Sequence, residues 1–454
     1  MLLTKPYPFQ DDGVDALEGF NGRGLLADEQ GLGKTLQALM FLERHPELRP
    51  AVVVCPASLK WVWEDEAAKH VGMRADVLWG RSPPKHGLRF KPQLTVVNYD
   101  VLKDWLPELL ALKPKCVILD EAQYVSNRKS QRSRAVKELC KAPQSVIALT
   151  GTPITNVPAE LYPIVNLVRP DLFPSWNRFA NRYCQPRLAP WGWEYKGATH
   201  LGELHEILTR ELMVRRLKAD VLKDLPAKTR SVVPVTLSDP REYRAAERDF
   251  LTWLNSRDPA KMRKAARAEA VVRVGYLKRL VGELKFPAVT EWGDNTLKGT
   301  GGKLVVMAVH RTITQGIKDH YGKRAVLVNG SVSSKERERA VRQFQTSDSV
   351  RLFAGNIKAA GTGLTLTAAS RLAFAELGWT PGEHAQAEDR IHRIGQKSGA
   401  HVSYLVAHGT VEEKLLKILH RKRGVANAVV DGVVGADDFD LLSQLVDELK
   451  KPAF

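Results

Sequence analysis

The chain has 454 residues, room for two or three domains with cores of their own, and 68 Lys and Arg against 51 Asp and Glu leave a formal charge of +17. Such an excess makes nucleic acid the first partner to consider, the alternative being a merely basic soluble surface. Cys55, Cys116, Cys140 and Cys184 form no C-x-x-C pair, and no apolar run reaches the roughly 18–20 residues of a membrane span, so a zinc ribbon, a disulfide framework and a membrane partner are excluded and an intracellular protein is expected.

Residues 1–165 alternate short apolar runs with helical segments. Val52–Cys55, Leu94–Val97, Val117–Leu119 and Val146–Leu149 are largely unalternating, as strands buried on both faces of a parallel sheet are. Between Leu25-Leu26-Ala27 and a helix over Leu36–Leu42 lies Asp28-Glu29-Gln30-Gly31-Leu32-Gly33-Lys34-Thr35. It reads as a phosphate-gripping loop: Gly31 and Gly33 permit the tight turn, the Leu32 and neighbouring N–H groups face an anion, Lys34 meets the phosphates and Thr35 offers a hydroxyl to Mg²⁺. The helix that follows points its positive end at the same place. Asp28 stands where the strict pattern has glycine.

Asp120-Glu121-Ala122-Gln123 follows the run at 117–119. Acids at the carboxyl end of a buried strand lie on the edge where open α/β sheets bind nucleotides; Asp120 is expected to hold Mg²⁺ and Glu121 to orient or deprotonate a water. Thr150-Gly151-Thr152-Pro153 follows the next strand, and the Thr150 and Thr152 hydroxyls could sense a γ-phosphate.

Residues 166–235, rich in Pro, Trp and Phe, read as a first insertion and linker. Residues 236–290 read as a second insertion, helical and basic, with Lys261, Arg263, Lys264, Arg267, Arg273, Lys278, Arg279 and Lys285. Those cations could track phosphates or form a solvated helix face.

Residues 291–454 repeat the α/β pattern, with runs at 304–309, 325–328, 350–353 and 372–375, a helix from Ser334, and a C-terminal amphipathic helix over Asp437–Lys451. Two α/β units of roughly 150 residues each are therefore expected. Asn356–Thr367, with Gly361 and Gly363, suits phosphodiester contacts or is a plain loop. The run Gln386-Ala387-Glu388-Asp389-Arg390-Ile391-His392-Arg393-Ile394-Gly395-Gln396 sets Arg390 and Arg393 three apart, hence on one helix face. Guanidinium groups so placed can act as fingers on a γ-phosphate, an effect typically of about 10³–10⁵ in rate.

Taken together, these motifs resemble those of the Swi/Snf-type DNA-translocating ATPases, most of all the annealing-helicase (HepA-related, HARP) branch, over nearly the whole chain. Pro8-Phe9-Gln10, Cys55-Pro56-Ala57-Ser58-Leu59 with Trp63 and Glu66, Phe173 to Tyr183-Cys184, Met213–Leu222 and Phe374–Leu377 with Trp379 and Pro381 carry the likeness beside the motifs above. The resemblance implies two RecA-like lobes and a DNA-stimulated ATPase that moves along duplex DNA without ordinary strand separation. It puts Gln10 on adenine, Asp28 through Thr35 around ATP, Thr35 and Asp120 on Mg²⁺, and Lys34, Asp120, Glu121, Arg390 and Arg393 in catalysis. Ser58, Lys60, Tyr99, His310, Gly361 and Thr365 fall near the DNA backbone, while Gln123, Thr150, Thr152 and Gln386 fall in coupling positions. Family members usually carry His where Gln123 stands. The expected protein is a monomeric motor without a targeting module, given its task by double-stranded or branched DNA or by a targeting or single-strand-binding protein. A strand-separating DNA or RNA helicase and a nucleotide-gated DNA-binding scaffold remain the alternatives.

Overall fold

The computed structural model describes residues 2–83, 92–155, 157–189, 192–255, 264–359 and 364–432. Its strands are β1 Arg23–Leu26, β2 Ala51–Cys55, β3 Ala75–Val77, β4 Leu94–Asn98, β5 Cys116–Asp120, β6 Ser145–Leu149, β7 Arg187–Ala189, β8 Gly192–Glu194, β9 Met213–Val214, β10 Lys228–Val235, β11 Lys303–Ala308, β12 Ala325–Val328, β13 Leu352–Asn356, β14 Ala369–Phe374 and β15 Ala400–Ala407. They form two large sheets, β3-β4-β2-β5-β6-β1-β9 and β10-β15-β14-β11-β13-β12, and a hairpin of β7 with β8. Every pairing within the large sheets is parallel. Two helix-flanked parallel sheets are the α/β, two-lobe architecture expected from the sequence.

β2, β4 and β6 are buried at every residue, which is why their apolar runs do not alternate. The first core gathers Leu26, Leu39, Val53, Trp63, Val96, Ile118 and Ile147. The helix Lys34–Arg44 begins immediately after Gly33, which adopts the left-handed conformation at φ 77°.

The chain divides into two compact units. The first comprises Met1–Gln185, Lys196–Asp224 and a short segment from Gly424 onward; the second holds Pro186–Tyr195 and Leu225–Arg423. These limits differ from the expected ones. The segment 166–235 is not one insertion: β9 joins the first sheet beside β1, whereas β10 joins the second beside β15. Residues of the expected second insertion also contribute to a core. Ala270, Val274, Leu277, Leu280, Val281 and Leu284 of the helix Lys264–Leu284 lie in the second unit's core.

Of the basic run, Lys278 and Lys285 do not face solvent, while the side chains of Lys264 and Arg267 lie outside what the structure describes. Lys278 is buried, with Nζ 2.9 Å from the Leu377 carbonyl and 3.7 Å from the Trp379 ring centre, and burial lowers its pKa to about 8. Lys285 is buried too, against Glu412 and the Leu405 carbonyl. Arg273 pairs with Glu269 and Asp249, and Arg279 with Glu283. Lys261, Arg263 and the C-terminal stretch Asp437–Lys451 lie outside the described residues. Among the described residues no helix is long and apolar enough to cross a membrane.

Candidate active site

The register of the first sheet levels four strand ends. Leu26 of β1 pairs with Leu149 of β6 and Val214 of β9, and Leu149 pairs with Asp120 of β5. The segments after these ends, 27–33, 121–123, 150–152 and 215–217, therefore emerge on one carboxyl edge, where charges from distant parts of the chain meet.

In the loop, Gly31 and Gly33 have φ of 90° and 77°. The left-handed backbone at Gly33 favours glycine, and a Cβ there would also stand 2.3 Å from Nε2 of Gln10, which would have to shift. Gln10 is 2 % exposed; its Nε2 donates to the Leu32 carbonyl at 3.1 Å and its Oε1 accepts the Tyr7 N–H at 2.9 Å. Lys34 Nζ donates to the carbonyls of Asp28 (2.6 Å) and Glu29 (3.3 Å). Burial lowers the Lys34 pKa, while Glu121, Asp28 and Asp120 oppose that fall. Thr35 is half-buried in the first turn of the following helix.

Asp28 is fully buried, and its carboxylate is occupied by side chains of the protein. Arg216 grips both oxygens, and Gln37 Nε2 donates to Oδ2 at 3.0 Å. The residue standing in place of glycine thus braces the loop from behind.

Asp120 ends β5. Its Oδ2 accepts the Trp63 indole N–H at 2.8 Å and its Oδ1 the Glu121 N–H at 2.9 Å. Burial, with Glu121 alongside, pushes its carboxyl up to about 7 despite those bonds and the Lys34 charge. Glu121 has φ 50°, and its Oε2 accepts Gln123 Nε2 at 2.6 Å. Gln123 Oε1 is buried without a hydrogen-bond partner among the described residues. Thr150 is buried and accepts the Thr152 N–H at 3.0 Å through Oγ1, closing its own turn.

Two site residues carried no role in the sequence reading. Arg215 Nη1 donates to the carbonyls of Ala27 (2.7 Å) and Gly151 (3.3 Å), and its Nε pairs with Asp431 at 2.7 Å. Arg216, besides gripping Asp28, reaches Gln37 and the Phe9 carbonyl. The available signal was a pair of arginines directly after the two apolar residues of β9.

Two of the residues expected near the DNA backbone are buried and bonded within the protein. Lys60 is 4 % exposed; its Nζ donates to the Leu78 carbonyl at 2.8 Å and lies 3.8 Å from the Trp79 ring centre, facing inward. Tyr99 is 2 % exposed and donates its hydroxyl to the Asp120 carbonyl at 2.9 Å, so it supports the acid pair. Ser58 is half-buried on the turn after β2.

In the second unit the helix Pro381–Glu388 ends before the arginines. Arg390 and Arg393 therefore do not share a helix face as expected; they lie in the turns that follow, which Gly395 continues at φ 97°. The turns still bring them together. Both donate to the Leu364 carbonyl, Arg390 at 3.2 Å and Arg393 at 3.4 Å, and Arg393 also donates to Thr365 Oγ1 at 2.9 Å. Glu388, fully buried, anchors the segment. Burial opposes its ionisation, yet Arg230, Lys228 and the Tyr404 hydroxyl hold its carboxyl well below the usual range. Gln386 is half-buried on the same helix. His310 Nδ1 lies 2.6 Å from Glu376, whose other oxygen accepts the Val309 and His310 N–H groups. Gly361 lies outside the described residues.

The chain is similar to several known proteins. The "SNF2-rel_dom: SNF2-related domain" family matches residues 14–278, and "Helicase conserved C-terminal domain" matches residues 289–395. "SWI/SNF-related matrix-associated actin-dependent regulator of chromatin subfamily A-like protein 1" of Xenopus laevis is 34 % identical over 429 residues, 93 % of this chain and 44 % of the relative. "DNA annealing helicase and endonuclease ZRANB3" of Homo sapiens is 34 % identical over 450 residues, 95 % of this chain and 41 % of the relative. The chain thus spans less than half the length of these curated relatives. A solved "Sulfolobus solfataricus SWI2/SNF2 ATPase core in complex with dsDNA" is 26 % identical, with a TM-score of 0.44 over 95 % of this chain and 96 % of that one. The SNF2-related match alone takes in the loop, the Asp-Glu-Ala-Gln run and both arginines after β9, over more than half of the 454 residues, and the chain belongs to the SNF2-related family.

Proposed function

We propose that this chain is an ATP-driven translocase on double-stranded DNA that remodels or reanneals DNA, or displaces bound protein, without separating the strands. The observation that carries the reading is the levelled sheet edge, which gathers Lys34 and the Asp120–Glu121 pair from separate strands. Relatives named as DNA annealing helicases, and a charge of +17, support DNA as the track.

The buried acid pair also suits a divalent cation. Asp120 and the Thr35 hydroxyl are hard oxygen donors, and burial, with the Glu121 charge beside it, raises Asp120 to about 7 in spite of Lys34. No group of three or more His, Cys, Asp or Glu able to hold a metal occurs among the described residues, so Mg²⁺ would arrive shared with nucleotide phosphates. Bound there, Mg²⁺ supplies neutralising charge on the phosphates.

In this reading the loop N–H groups and Lys34 hold the phosphates, and Glu121 takes the proton of the attacking water. Gln123, already bonded to Glu121, keeps that carboxylate in place. Arg390 and Arg393 stabilise charge on the transferring phosphoryl group, and Gln386, Thr150 and Thr152 couple the nucleotide state to DNA. DNA is held through its phosphates, largely without regard to sequence, in a salt-sensitive manner. Ser58 and His310 remain the proposed backbone contacts.

The test is phosphate release with and without duplex DNA, for the parent chain and Glu121→Gln. Duplex should stimulate the parent; the variant should bind ATP yet not turn it over. Equal turnover in the variant rejects the assignment, and a displaced strand from forked DNA or RNA would replace translocation by unwinding.

A further inference from the structure

The surface of the first unit leaves two tryptophan side chains open to solvent side by side. Trp61 is 46 % exposed and Trp79 50 % exposed, and their ring centres stand 4.5 Å apart at 36°. Exposed tryptophans in contact are an uncommon use of surface. The pair is held firmly in place. Lys60 Nζ lies 3.8 Å from the Trp79 ring centre and donates to the Leu78 carbonyl; Trp105 Nε1 donates to the Gly80 carbonyl at 3.0 Å. Trp61 sits in the first turn of the helix Lys60–Val71, which starts beyond the end of β2.

Two residues beyond Trp79, Arg81 opens a cavity of about 770 Å³ in the same unit, which Lys103 and Arg132 also line. Asp104 and Asp100 line it as well, paired with Arg81 at 3.4 Å and Arg132 at 2.6 Å. Three cations against two acids leave it net positive, and Tyr124 stacks on Tyr99 in its wall at 5.3 Å. A cationic groove adjoining an aromatic platform is what unpaired nucleic acid requires: phosphates follow the groove and a base lies on the ring.

We propose that Trp61 and Trp79 form a stacking platform for an unpaired base of a DNA strand, with the Arg81–Lys103–Arg132 groove receiving the adjoining phosphates. This rests on the translocase reading and narrows it to duplexes bearing a single-stranded arm, because a base paired within a helix has no free face to offer. Charge selects this occupant over a second copy of the chain, since two positive grooves repel.

The test measures affinity at fixed salt for a blunt duplex, the same duplex with a single-stranded arm, and a single strand. The full chain is compared with Trp61→Ala/Trp79→Ala, Trp61→Leu and Trp61→Phe. Removing both rings should weaken the armed duplex and the single strand by roughly tenfold or more, the worth of one base stack, and leave the blunt duplex unchanged. Trp61→Phe should retain most of the binding that Trp61→Leu loses, since leucine keeps apolar bulk without a π-face. Unchanged affinity for armed DNA overturns the proposal, as does an equal loss on the blunt duplex. So does a change in sedimentation showing that the rings join two copies of the chain. Duplex-stimulated phosphate release reports on the translocase reading separately and should be intact in all three variants.

Discussion

Arg216 holds both carboxylate oxygens of Asp28, Nε at 3.0 Å from Oδ1 and Nη2 at 2.6 Å from Oδ2, across 188 positions of sequence. The pair joins the segment after β9 to the start of the phosphate loop, and Asp28 is fully buried beneath it. Lysine cannot make that fork together with the bonds to Gln37 and Phe9. Arg216→Lys should therefore cost roughly 2 kcal/mol of stability and raise the KM for ATP by about tenfold, with kcat less affected. Steady-state phosphate release with thermal melting checks this; an unchanged KM would make the pair purely structural.

Asp120 supplies a pH-dependent prediction. Its folded value of about 7 lies above the unfolded value of about 3.9. The proton is thus held more tightly in the folded state, and this group's contribution to stability is lost as pH rises from about 4 through 7. Asp120→Asn removes that dependence. The variant's stability relative to the parent should rise between pH 5 and pH 8 by an amount on the order of 1–3 kcal/mol, read as a rise in relative Tm, while hydrolysis is lost at both. A difference in Tm that does not vary with pH would remove the buried-carboxylate account.

Lys285 and Glu412 meet at 2.6 Å with side chains 0 % and 2 % exposed. Lys285→Met alone strands a buried carboxylate and should cost about 3–5 kcal/mol. Adding Glu412→Leu should recover most of that. Chemical denaturation of the four species gives the coupling directly, and simple additivity would mean that the two charges are solvated independently.

Arg393 and Thr365 test the arginine segment. Arg393→Ala should lower kcat by about 10³ or more with little change in KM for ATP. Thr365→Val removes only the acceptor that orients it and should lower kcat by roughly threefold to tenfold. If Thr365→Val instead weakens DNA binding at unchanged kcat, Thr365 returns to the DNA backbone role expected from the sequence.

Much of the architecture could be read before the structure because the central strands are apolar on both faces. β2, β4, β5 and β6 fall within a residue or two of the runs that signal them. β9 could not be read that way: two residues carry no periodicity, and its pairing partner β1 lies far away in sequence. With β9 missed, Arg215 and Arg216 stayed mere members of a motif. Charge on a helix was equally ambiguous. Lys278 and Lys285 look like neighbours of the solvent-paired Arg279, yet each fills a buried carbonyl-lined position, which only the packing of strands β14 and β15 creates. Spacing also misjudged Arg390 and Arg393, since a three-residue interval suits a turn as well as a helix. That Asp120, Glu121 and Lys34 would meet on one sheet edge was legible, because phosphate-binding chemistry fixes the kinds of residue as well as their intervals.

β9 also bears on how the molecule can be dissected. Leu25, Ala27 and Glu29 donate their N–H groups in turn to the carbonyls of Leu212, Val214 and Arg216, at 2.7, 2.8 and 3.0 Å. A recombinant fragment cut at residue 165, where strand-rich sequence gives out, would keep every nucleotide-loop residue and lose the rib against which that loop is laid. An inactive fragment of that kind would say nothing against the loop. Reaching Asp224 restores the rib, and fusions or insertions are better sited in the open hairpin of β7 and β8.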